Sequence, residues 1–508
     1  MTTTIIKGNE EASAYIDSIL KIDPTFKEAI SSGLITVEEK TGYIHTLLDS
    51  LGESPEWDNS VILKALQSLR LLCREPTGSE AFFSEKTITT FVKFSGLKNP
   101  SAKTLNDPIA VEALKCLNNV QTCSADMRLI FANSEYIPLI VPALKTEGLN
   151  MGPIFLLTRL SFFVTATDQS LCQTMINDHL PDTLAKILNK LNGGKYTDED
   201  WISSENCINE ILKASFNLTL KFSSIQSSSF FGVSQKTMVE TENIDTDIYS
   251  FRELLSEIVI SFVNSKLQVP TMSPPHSHAI NTLMNFQCLE FEDQWFPNGD
   301  YKIIEMLLDI FEDCLRIMCP EESRTFENDM IFGTEVDQAL APLLILMKKL
   351  TVNPQARLLM KKRLMPKSID RTKELTKGSS LTAHWIRSLS DVCLSQTRDF
   401  MCEFMIALCE NNSDEFIGYV GYGNAAGFLF NRGMFGSGLA EAAAKAKATA
   451  ANPNEPNIDP ISGTIRKEVA DPWKDMTEEE RERESERLFV LFDRLNKTGV
   501  IKAMPRNN

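Results

Sequence analysis

The chain has 508 residues, of which 43% are hydrophobic and 23% are charged, and its formal net charge is −17. At roughly 150 residues per domain this length predicts about three domains, unless the fold grows by repetition. A pI near 5.0 argues against nucleic-acid binding, which requires a positive face. The same acidity argues against an anionic membrane surface as the main partner.

The N-terminal sequence and the cysteines predict a soluble, cytosolic protein. The chain starts Met1-Thr-Thr-Thr-Ile-Ile-Lys-Gly, without the basic and apolar segments of a signal peptide. No apolar stretch approaches the roughly 20 residues of a membrane-spanning helix. The eleven cysteines contain no CxxC pair, which argues against zinc and redox chemistry. Four of them lie in apolar helical patterns and are expected to be small buried hydrophobic residues, namely Cys73, Cys116, Cys402 and Cys409.

His276 and His278 form an HxH pair that could bind a metal. No companion ligands stand at a suitable spacing. We therefore expect no metal site and no cofactor, and interpret the pair as a polar start to the next helix.

Helical periodicity runs through most of the chain, and a short template recurs along it. The template begins with an apolar residue, usually has another three positions later, and often carries Asn five positions later. Its copies start at Leu66, Leu114, Leu157, Leu212, Ile280, Leu344 and Met405. The shorter intervals between copies, 48 and 43 residues, approach the roughly 40–47-residue period of armadillo and HEAT repeats. The sequence therefore predicts an all-α superhelix of armadillo/HEAT type.

Changes in composition predict three regions. Residues 1–430 form the solenoid, residues 431–476 a flexible linker, and residues 477–508 a C-terminal amphipathic helix and tail. Within the solenoid, the Ser- and Thr-rich residues 221–247 predict a loop, and residues 323–334 predict a further linker.

The C-terminal region predicts a helix that begins at Thr477. Thr477 and Glu480 have the spacing of a capping box, and acidic residues crowd the first turns. An apolar stripe follows at helical spacing, formed by Leu488, Phe489, Leu491, Phe492 and Leu495. Two interpretations stay open: the helix docks back on the solenoid, or it binds a groove on a partner.

In a helical solenoid, the last helix of each repeat lines the concave surface. Arg70 and Arg74 lie four residues apart on such a helix, so two guanidinium groups could clasp a carboxylate. The alternative is a solvated flank paired with Glu75 or Glu80.

Asn119, Asn217 and Asn285 occupy the fifth-position Asn of the template and form a possible ladder along the groove. Their amides could bond the backbone of a bound peptide, or each could tie its own helix to the next. Phe155 and Phe216 fit a core more readily than a binding surface. The sequence contains no P-loop, GxSxG or HExxH motif, so we expect the protein to act by binding rather than by catalysis.

Gly421-Tyr-Gly-Asn-Ala-Ala426 matches the loose form of the dinucleotide-binding fingerprint. That motif requires a preceding strand, and here a helical pattern precedes it. A tight turn between solenoid helices explains these glycines better.

Three segments resemble the synembryn family (resistance to inhibitors of cholinesterase). They read Phe416-Ile-Gly-Tyr-Val-Gly-Tyr-Gly-Asn-Ala-Ala-Gly-Phe-Leu, Asp459-Pro-Ile-Ser-Gly-Thr-Ile, and Asp471-Pro-Trp-Lys-Asp-Met-Thr-Glu-Glu-Glu running into the C-terminal helix. The template copies that start at residues 66, 114 and 212 also match the family's repeats. The likeness covers nearly the whole chain in the same order.

The resemblance implies a solenoid that chaperones nascent G-protein α subunits and acts as a non-receptor exchange factor. In the family, the C-terminal helix of the α subunit lies in the concave groove. Arg70 and Arg74 fall on the basic pair near the end of that helix, and Asn119 falls on a groove Asn. The resemblance further implies that residues 477–496 engage the nucleotide-binding domain of the α subunit.

Phe155, Phe216 and Asn217 fall on groove-lining helices of the family. We expect a cytoplasmic monomer that its α-subunit partner recruits to the cell cortex or plasma membrane. The alternative function is an armadillo-type adaptor that binds peptides without affecting nucleotide exchange.

One segment departs from the family. Animal members carry an acidic Ser/Thr-rich stretch that an acidophilic kinase phosphorylates, whereas residues 440–451 are Ala-rich with Thr449 as the only hydroxyl. We therefore do not expect that regulation in this chain.

Overall fold

The structure is a computed structural model that describes residues 5–22, 26–53, 56–230, 238–321, 330–331, 334–391, 393–425, 458–459, 461–465 and 476–497. Helices dominate this part of the chain. In chain order they are α1 (Asn9–Leu20), α2 (Phe26–Ser31), α3 (Val37–Gly52), α4 (Asn59–Cys73), α5 (Glu85–Phe94), α6 (Ala102–Leu105), α7 (Pro108–Cys123), α8 (Ala125–Ala132), α9 (Ile140–Leu144), α10 (Met151–Thr167), α11 (Gln169–Asn177), α12 (Leu180–Asn192), α13 (Ser204–Phe230), α14 (Met238–Asn264), α15 (His276–Leu283), α16 (Glu292–Trp295), α17 (Lys302–Met318), α18 (Ala341–Leu350), α19 (Pro354–Leu364), α20 (Leu381–Ser390), α21 (Ser395–Leu408), α22 (Ser413–Val420) and α23 (Glu478–Lys497).

Short 3-10 helices and one small hairpin accompany these helices in the described residues. The 3-10 helices are Ser79–Phe82, Ile137–Leu139, Pro297–Gly299 and Val336–Gln338. Strands β1 (Met330–Ile331) and β2 (Thr334–Glu335) pair antiparallel. The chain divides into two compact units, which we call the solenoid unit (residues 1–368 and 378–416) and the C-terminal unit (residues 369–377 and 417–508).

The template helices pack one against the next in a single row within the solenoid unit. The row runs through α4, α7, α10, α13, α15, α18 and α21. The first residue of every template copy is at most 2% exposed, namely Leu66, Leu114, Leu157, Leu212, Ile280, Leu344 and Met405. Each helix buries its apolar face between two neighbours, so the row is stabilised repeat by repeat. The predicted repeat is confirmed.

A second set of helices packs beside this row. Helices α3, α5 and α8 are in contact consecutively, and so are α9, α12, α14, α17 and α20. Two rows of packed helices are the arrangement of an armadillo/HEAT-type solenoid, in which each repeat contacts its neighbours. The predicted all-α fold is confirmed.

Side-chain hydrogen bonds join neighbouring template helices and set their register. The thiol of Cys116 donates to the carbonyl oxygen of Leu66 at 3.2 Å. Farther along the row, the Thr282 hydroxyl donates to the carbonyl oxygen of Leu212 at 3.0 Å. These donors are buried, so the bonds also satisfy polar groups that would otherwise be costly in the core.

The prediction of a loop is wrong for residues 221–230 and 238–247. Helix α13 continues to Phe230, and α14 begins at Met238. No Gly or Pro interrupts residues 204–230, and Ser and Thr cost a helix only about 0.7 kcal/mol or less per residue relative to Ala. Residues 231–237 lie outside the described residues.

In the C-terminal unit, two backbone segments lie so close together that only glycine fits between them. Gly421 has a φ of 84°, and a Cβ atom there would lie 2.6 Å from backbone atoms of Ile461, Ser462 and Gly463. The N–H of Gly423 donates to the carbonyl oxygen of Ile461 at 2.8 Å. Gly421 does end α22 in a turn, but the close approach of the second segment explains both glycines.

The second segment forms its own hydrogen-bonded loop. The Asp459 carboxylate accepts from the N–H groups of Ile461 and Ser462, both at 2.9 Å. The Ile465 N–H donates to the carbonyl oxygen of Arg371 at 2.8 Å. This loop lies within the region predicted to be a linker, of which residues 431–457, 460 and 466–475 are outside the described part of the chain.

Gly421→Ala should destabilise the C-terminal unit by about 1–3 kcal/mol, because its left-handed φ and the close backbone leave no room for a methyl group. Hydrogen exchange at the Gly423 N–H measures the effect. Gly418→Ala is the matched control on α22, where a Cβ would meet no atom within 4 Å. Equal exchange rates in the two variants would contradict this account of the glycines.

Candidate functional site

Side chains of α4, α7 and α10, together with Trp201, form a groove with a volume of about 480 Å³. Its walls are Arg70, Cys73 and Arg74 at the end of α4, Lys115, Asn118, Asn119, Thr122 and Cys123 of α7, Phe155 and Leu156 of α10, and Trp201. Four site residues predicted from the sequence, Arg70, Arg74, Asn119 and Phe155, thus line one groove.

The charges in the groove walls are all positive. Arg70, Arg74 and Lys115 line it, in a chain whose formal net charge is −17. A concave surface with one sign of charge concentrates ligands of the opposite sign. The groove therefore suits a carboxylate or another anionic group.

A buried carboxylate behind the wall holds two of these cations. The Arg70 Nε–H donates to Oε1 of Glu112, and Lys115 Nζ lies 3.5 Å from Oε2 of the same residue. Glu112 is on α7, so this ion pair also joins α7 to α4. The alternative pairing of Arg70 with Glu75 or Glu80 is wrong.

Arg74 differs from Arg70 in its surroundings. It caps the C-terminus of α4 and is exposed. Within the residues that the structure describes, no carboxylate forms an ion pair with it. Its guanidinium group is therefore available to a ligand at the mouth of the groove.

Trp201 is a groove residue that the sequence reasoning missed. Lys115 Nζ lies 4.0 Å from the centroid of its ring, and the Phe155 ring meets it edge to face at 6.1 Å. Trp201 remains 40% exposed. A partly exposed aromatic ring between a cation and a second ring is typical of residues that anchor a binding partner. The sign of this residue in the sequence is a single Trp within a polar turn.

The loop that carries Trp201 is attached to the N-terminus of α10. The Gly152 N–H donates to the Glu199 carboxylate at 2.9 Å, which satisfies a free donor of the first helical turn. A Cβ at Gly152 would lie 2.7 Å from the Trp201 ring. Glycine at this position therefore lets Trp201 lie against α10.

The two adjacent asparagines of α7 have different surroundings. Asn118 is buried, and its Nδ2 group donates to the carbonyl oxygens of Leu114 at 2.9 Å and Leu156 at 3.2 Å. It therefore ties α7 to α10. Asn119 is half-buried and faces the groove.

The other two template asparagines contact the preceding template helix. The Asn217 amide donates to the Thr165 hydroxyl at 3.1 Å, and the Asn285 amide donates to the Thr219 hydroxyl at 3.0 Å. These bonds favour the interpretation in which each Asn ties its helix to the next. Phe216 is half-buried on α13 and does not line this groove.

The C-terminal helix α23 begins with the predicted capping box. The Glu480 N–H donates to the Thr477 hydroxyl at 3.4 Å, and the Thr477 N–H donates to the Glu480 carboxylate at 3.0 Å. Leu488 is 41% exposed and Leu491 is 49% exposed. Apolar surface on this helix is thus accessible to a partner.

Phe489 and Phe492 of the predicted stripe belong to α23, but their side chains lie outside the part of the chain that the structure describes.

His276, one of the two histidines considered as metal ligands, is buried. His276 is 1% exposed, its Nε2 atom pairs with the Ser265 hydroxyl at 2.9 Å, and burial lowers the pKa of its imidazole. Among the described residues, no group of three or more His, Cys, Asp or Glu side chains could hold a metal ion.

The cysteines predicted to be buried are buried, namely Cys73, Cys116, Cys402 and Cys409. No helix in the described ranges is long and apolar enough to cross a membrane.

The fold and the groove define a helical-repeat protein with a basic groove lined by three neighbouring template helices, α4, α7 and α10. The sequence profile of the Ric8 family, described as guanine nucleotide exchange factor synembryn, matches residues 65–507. The chain therefore belongs to the synembryn family. This membership confirms the resemblance, and it confirms that the chain acts by binding rather than by catalysis.

Relatives with the name Chaperone Ric-8A align over most of the chain. The protein of Gallus gallus is 25% identical over 486 residues, 88% of this chain and 84% of that protein. The protein of Xenopus laevis is 24% identical over 488 residues, which cover 87% of this chain and 82% of that protein. Among solved structures, a chain from a study of a phosphorylation switch in the interaction between cadherin and beta-catenin aligns with a TM-score of 0.35 and 10% identity over 80% of each chain.

Glu112→Gln should lower the free energy of unfolding by about 1–3 kcal/mol, because it removes the charge that Arg70 and Lys115 share. Chemical denaturation of the full chain measures the change. Glu135→Gln is the matched control, since Glu135 is exposed and does not line the groove. An unchanged unfolding midpoint for Glu112→Gln would contradict the structural role of this ion pair.

Proposed function

We propose that this protein is a chaperone and exchange factor for G-protein α subunits, and that it binds their C-terminal helix in the groove of α4, α7 and α10. The observation that carries the proposal is the convergence of Arg70, Arg74 and Lys115 on one groove in a member of the exchange-factor family.

The chemistry of the groove matches the end of a helix. The C-terminal turn of a helix has unpaired carbonyl groups and a partial negative charge, and a chain terminus adds a carboxylate. Arg70 and Arg74 can donate paired hydrogen bonds to such a carboxylate. The Asn119 amide offers a donor and an acceptor to the peptide backbone, while Phe155 and Trp201 offer apolar contact.

Nucleotide exchange then follows from thermodynamic linkage between two binding equilibria, and it requires no covalent bond to break. A protein that binds the nucleotide-free α subunit more tightly than the loaded form must weaken nucleotide affinity by the same factor. Withdrawal of the C-terminal helix from its domain would loosen the loop that binds the base. Binding of GTP reverses the balance and releases the factor. Chaperoning uses the same preference, because the near-native, nucleotide-free client is the state that is stabilised.

Helix α23 supplies a second contact in this proposal. Leu488 and Leu491 are accessible on it, and Phe489 and Phe492 are predicted to extend the same stripe. We propose that this stripe engages the nucleotide-binding domain of the client.

Further contacts with the client by Phe216, Asn217 and Asn285, along the row of template helices, stay predictions. The partner also defines the location that we propose, a cytoplasmic monomer recruited to the cell cortex or plasma membrane by the α subunit.

Acceleration of GDP release from a purified α subunit tests the function itself. We expect faster release with this protein present, and a higher yield of folded α subunit in a cell-free translation. A peptide-binding adaptor would bind the α subunit and leave GDP release unchanged. No acceleration together with no gain in folding would overturn the proposal.

Arg74→Glu should weaken binding of a peptide from the C-terminus of an α subunit by about 30-fold or more, because it places a negative charge beside the peptide carboxylate. Adding Arg70→Glu should weaken it further. Fluorescence anisotropy of a labelled peptide gives the affinities. The control is Lys21→Glu with Lys103→Glu, two exposed residues that do not line the groove. Equal affinities in the arginine and control variants would show that the peptide binds elsewhere.

Leu488→Ala with Leu491→Ala should slow exchange several-fold while peptide affinity stays unchanged, because the groove is intact. The matched pair on the same helix is Arg483→Ala with Glu486→Ala, which are exposed and together leave the net charge unchanged. GDP release and peptide anisotropy are measured on each variant. Loss of peptide affinity, or equal exchange in both pairs, would contradict a separate role for α23.

A further inference from the structure

Two cysteines of the groove wall lie side by side although they are 50 residues apart in the chain. Cys73 is the last residue of α4 and Cys123 is the last residue of α7. Their Sγ atoms are 3.6 Å apart, and the Cys123 thiol donates to the carbonyl oxygen of Cys73 at 3.1 Å. The absence of a CxxC motif argues against redox chemistry, but the repeat packing brings two thiols together without one.

The two thiols are unequal. Cys123 is exposed, whereas Cys73 is 1% exposed. A hydrogen bond from the Cys73 thiol lowers the pKa of Cys123 to about 7, and the nearby Lys40 ammonium lowers it as well. The same contact and burial raise the pKa of Cys73. Cys123 is thus the accessible, more acidic thiol, which is the character of a reactive cysteine with a resolving partner beside it.

We infer that Cys73 and Cys123 form an oxidation site, at which a peroxide joins the two sulfurs into a disulfide across the wall of the groove.

The reaction balances with hydrogen peroxide as the oxidant. The Cys123 thiolate attacks one peroxide oxygen, the O–O bond breaks, and the leaving hydroxide takes up a proton to become water. The Cys73 sulfur then attacks the sulfenic acid on Cys123 and loses its proton. The S–S bond forms, the S–O bond breaks, and a second water leaves. Two thiols and one hydrogen peroxide become one disulfide and two waters.

Formation of this bond would change the groove. The sulfurs must approach from 3.6 Å to about 2.05 Å, so the ends of α4 and α7 move together or their side chains rotate. Arg74 directly follows Cys73, and Asn119 lies about one helical turn before Cys123. The disulfide would therefore shift residues proposed to hold the client. This consequence, unlike the oxidation itself, rests on the proposed function.

Peptide mapping of the full chain without reducing agent tests the site. After treatment with hydrogen peroxide we expect a peptide that links Cys73 to Cys123 and that dithiothreitol separates. Cys123→Ser should abolish the link. Cys393→Ser is the matched control, because Cys393 is also exposed, and it should keep the link. A free Cys73 beside an over-oxidised Cys123, or a link from Cys73 to another cysteine, would overturn the inference.

A second measurement separates the site from the proposed function. The peroxide-treated chain should bind the α-subunit peptide about tenfold more weakly than the reduced chain, because the groove residues lose their preorganised positions. Cys123→Ser should bind equally with and without peroxide. Equal binding by the reduced and linked chains would overturn the effect on the groove. Failure of the reduced chain to bind would instead count against the proposed function, while the mapping result would still decide the oxidation site.

Discussion

The stacking of template helices, each with its apolar face buried between two neighbours, is the constraint on which the rest of the solenoid unit depends. Leu66, Leu114 and Leu157 are fully buried along this row, and they define how α4, α7 and α10 lie next to one another. The groove lies where these three helices adjoin. Residues of α4, α7 and α10 line it because repetition places equivalent helix positions side by side, and Trp201 joins them from the loop before α13.

Charged and polar side chains then distinguish one part of this repeating scaffold, the groove. Glu112 is buried behind the wall and holds Arg70 and Lys115, while Arg74 lies at the mouth without a carboxylate partner among the described residues. Lys115 also lies over Trp201, so one cation connects the ion pair to the aromatic part of the groove. A chain with a large negative charge thus presents a positive surface at one place, which favours a partner with a complementary end.

The repeat, the buried template positions and the capping box of α23 could be predicted from the sequence, because each depends on spacing along one helix. Trp201 and the Cys73–Cys123 pair could not, since both depend on which parts of the chain pack together. The same limit explains Gly421, whose role becomes clear only when Gly463 lies against it. The error over residues 221–230 and 238–247 has another cause, because weak helix formers still continue a helix that no Gly or Pro interrupts.

The central claim is that the groove of α4, α7 and α10 binds the C-terminal helix of an α subunit. Hydrogen exchange of the full chain, measured with and without the nucleotide-free α subunit, tests it most directly. The account predicts slower exchange at the C-terminal ends of α4 and α7, in the first turns of α10 and in the loop around Trp201. Protection confined to α5, α8 and α12, with no change in the groove helices, would contradict it.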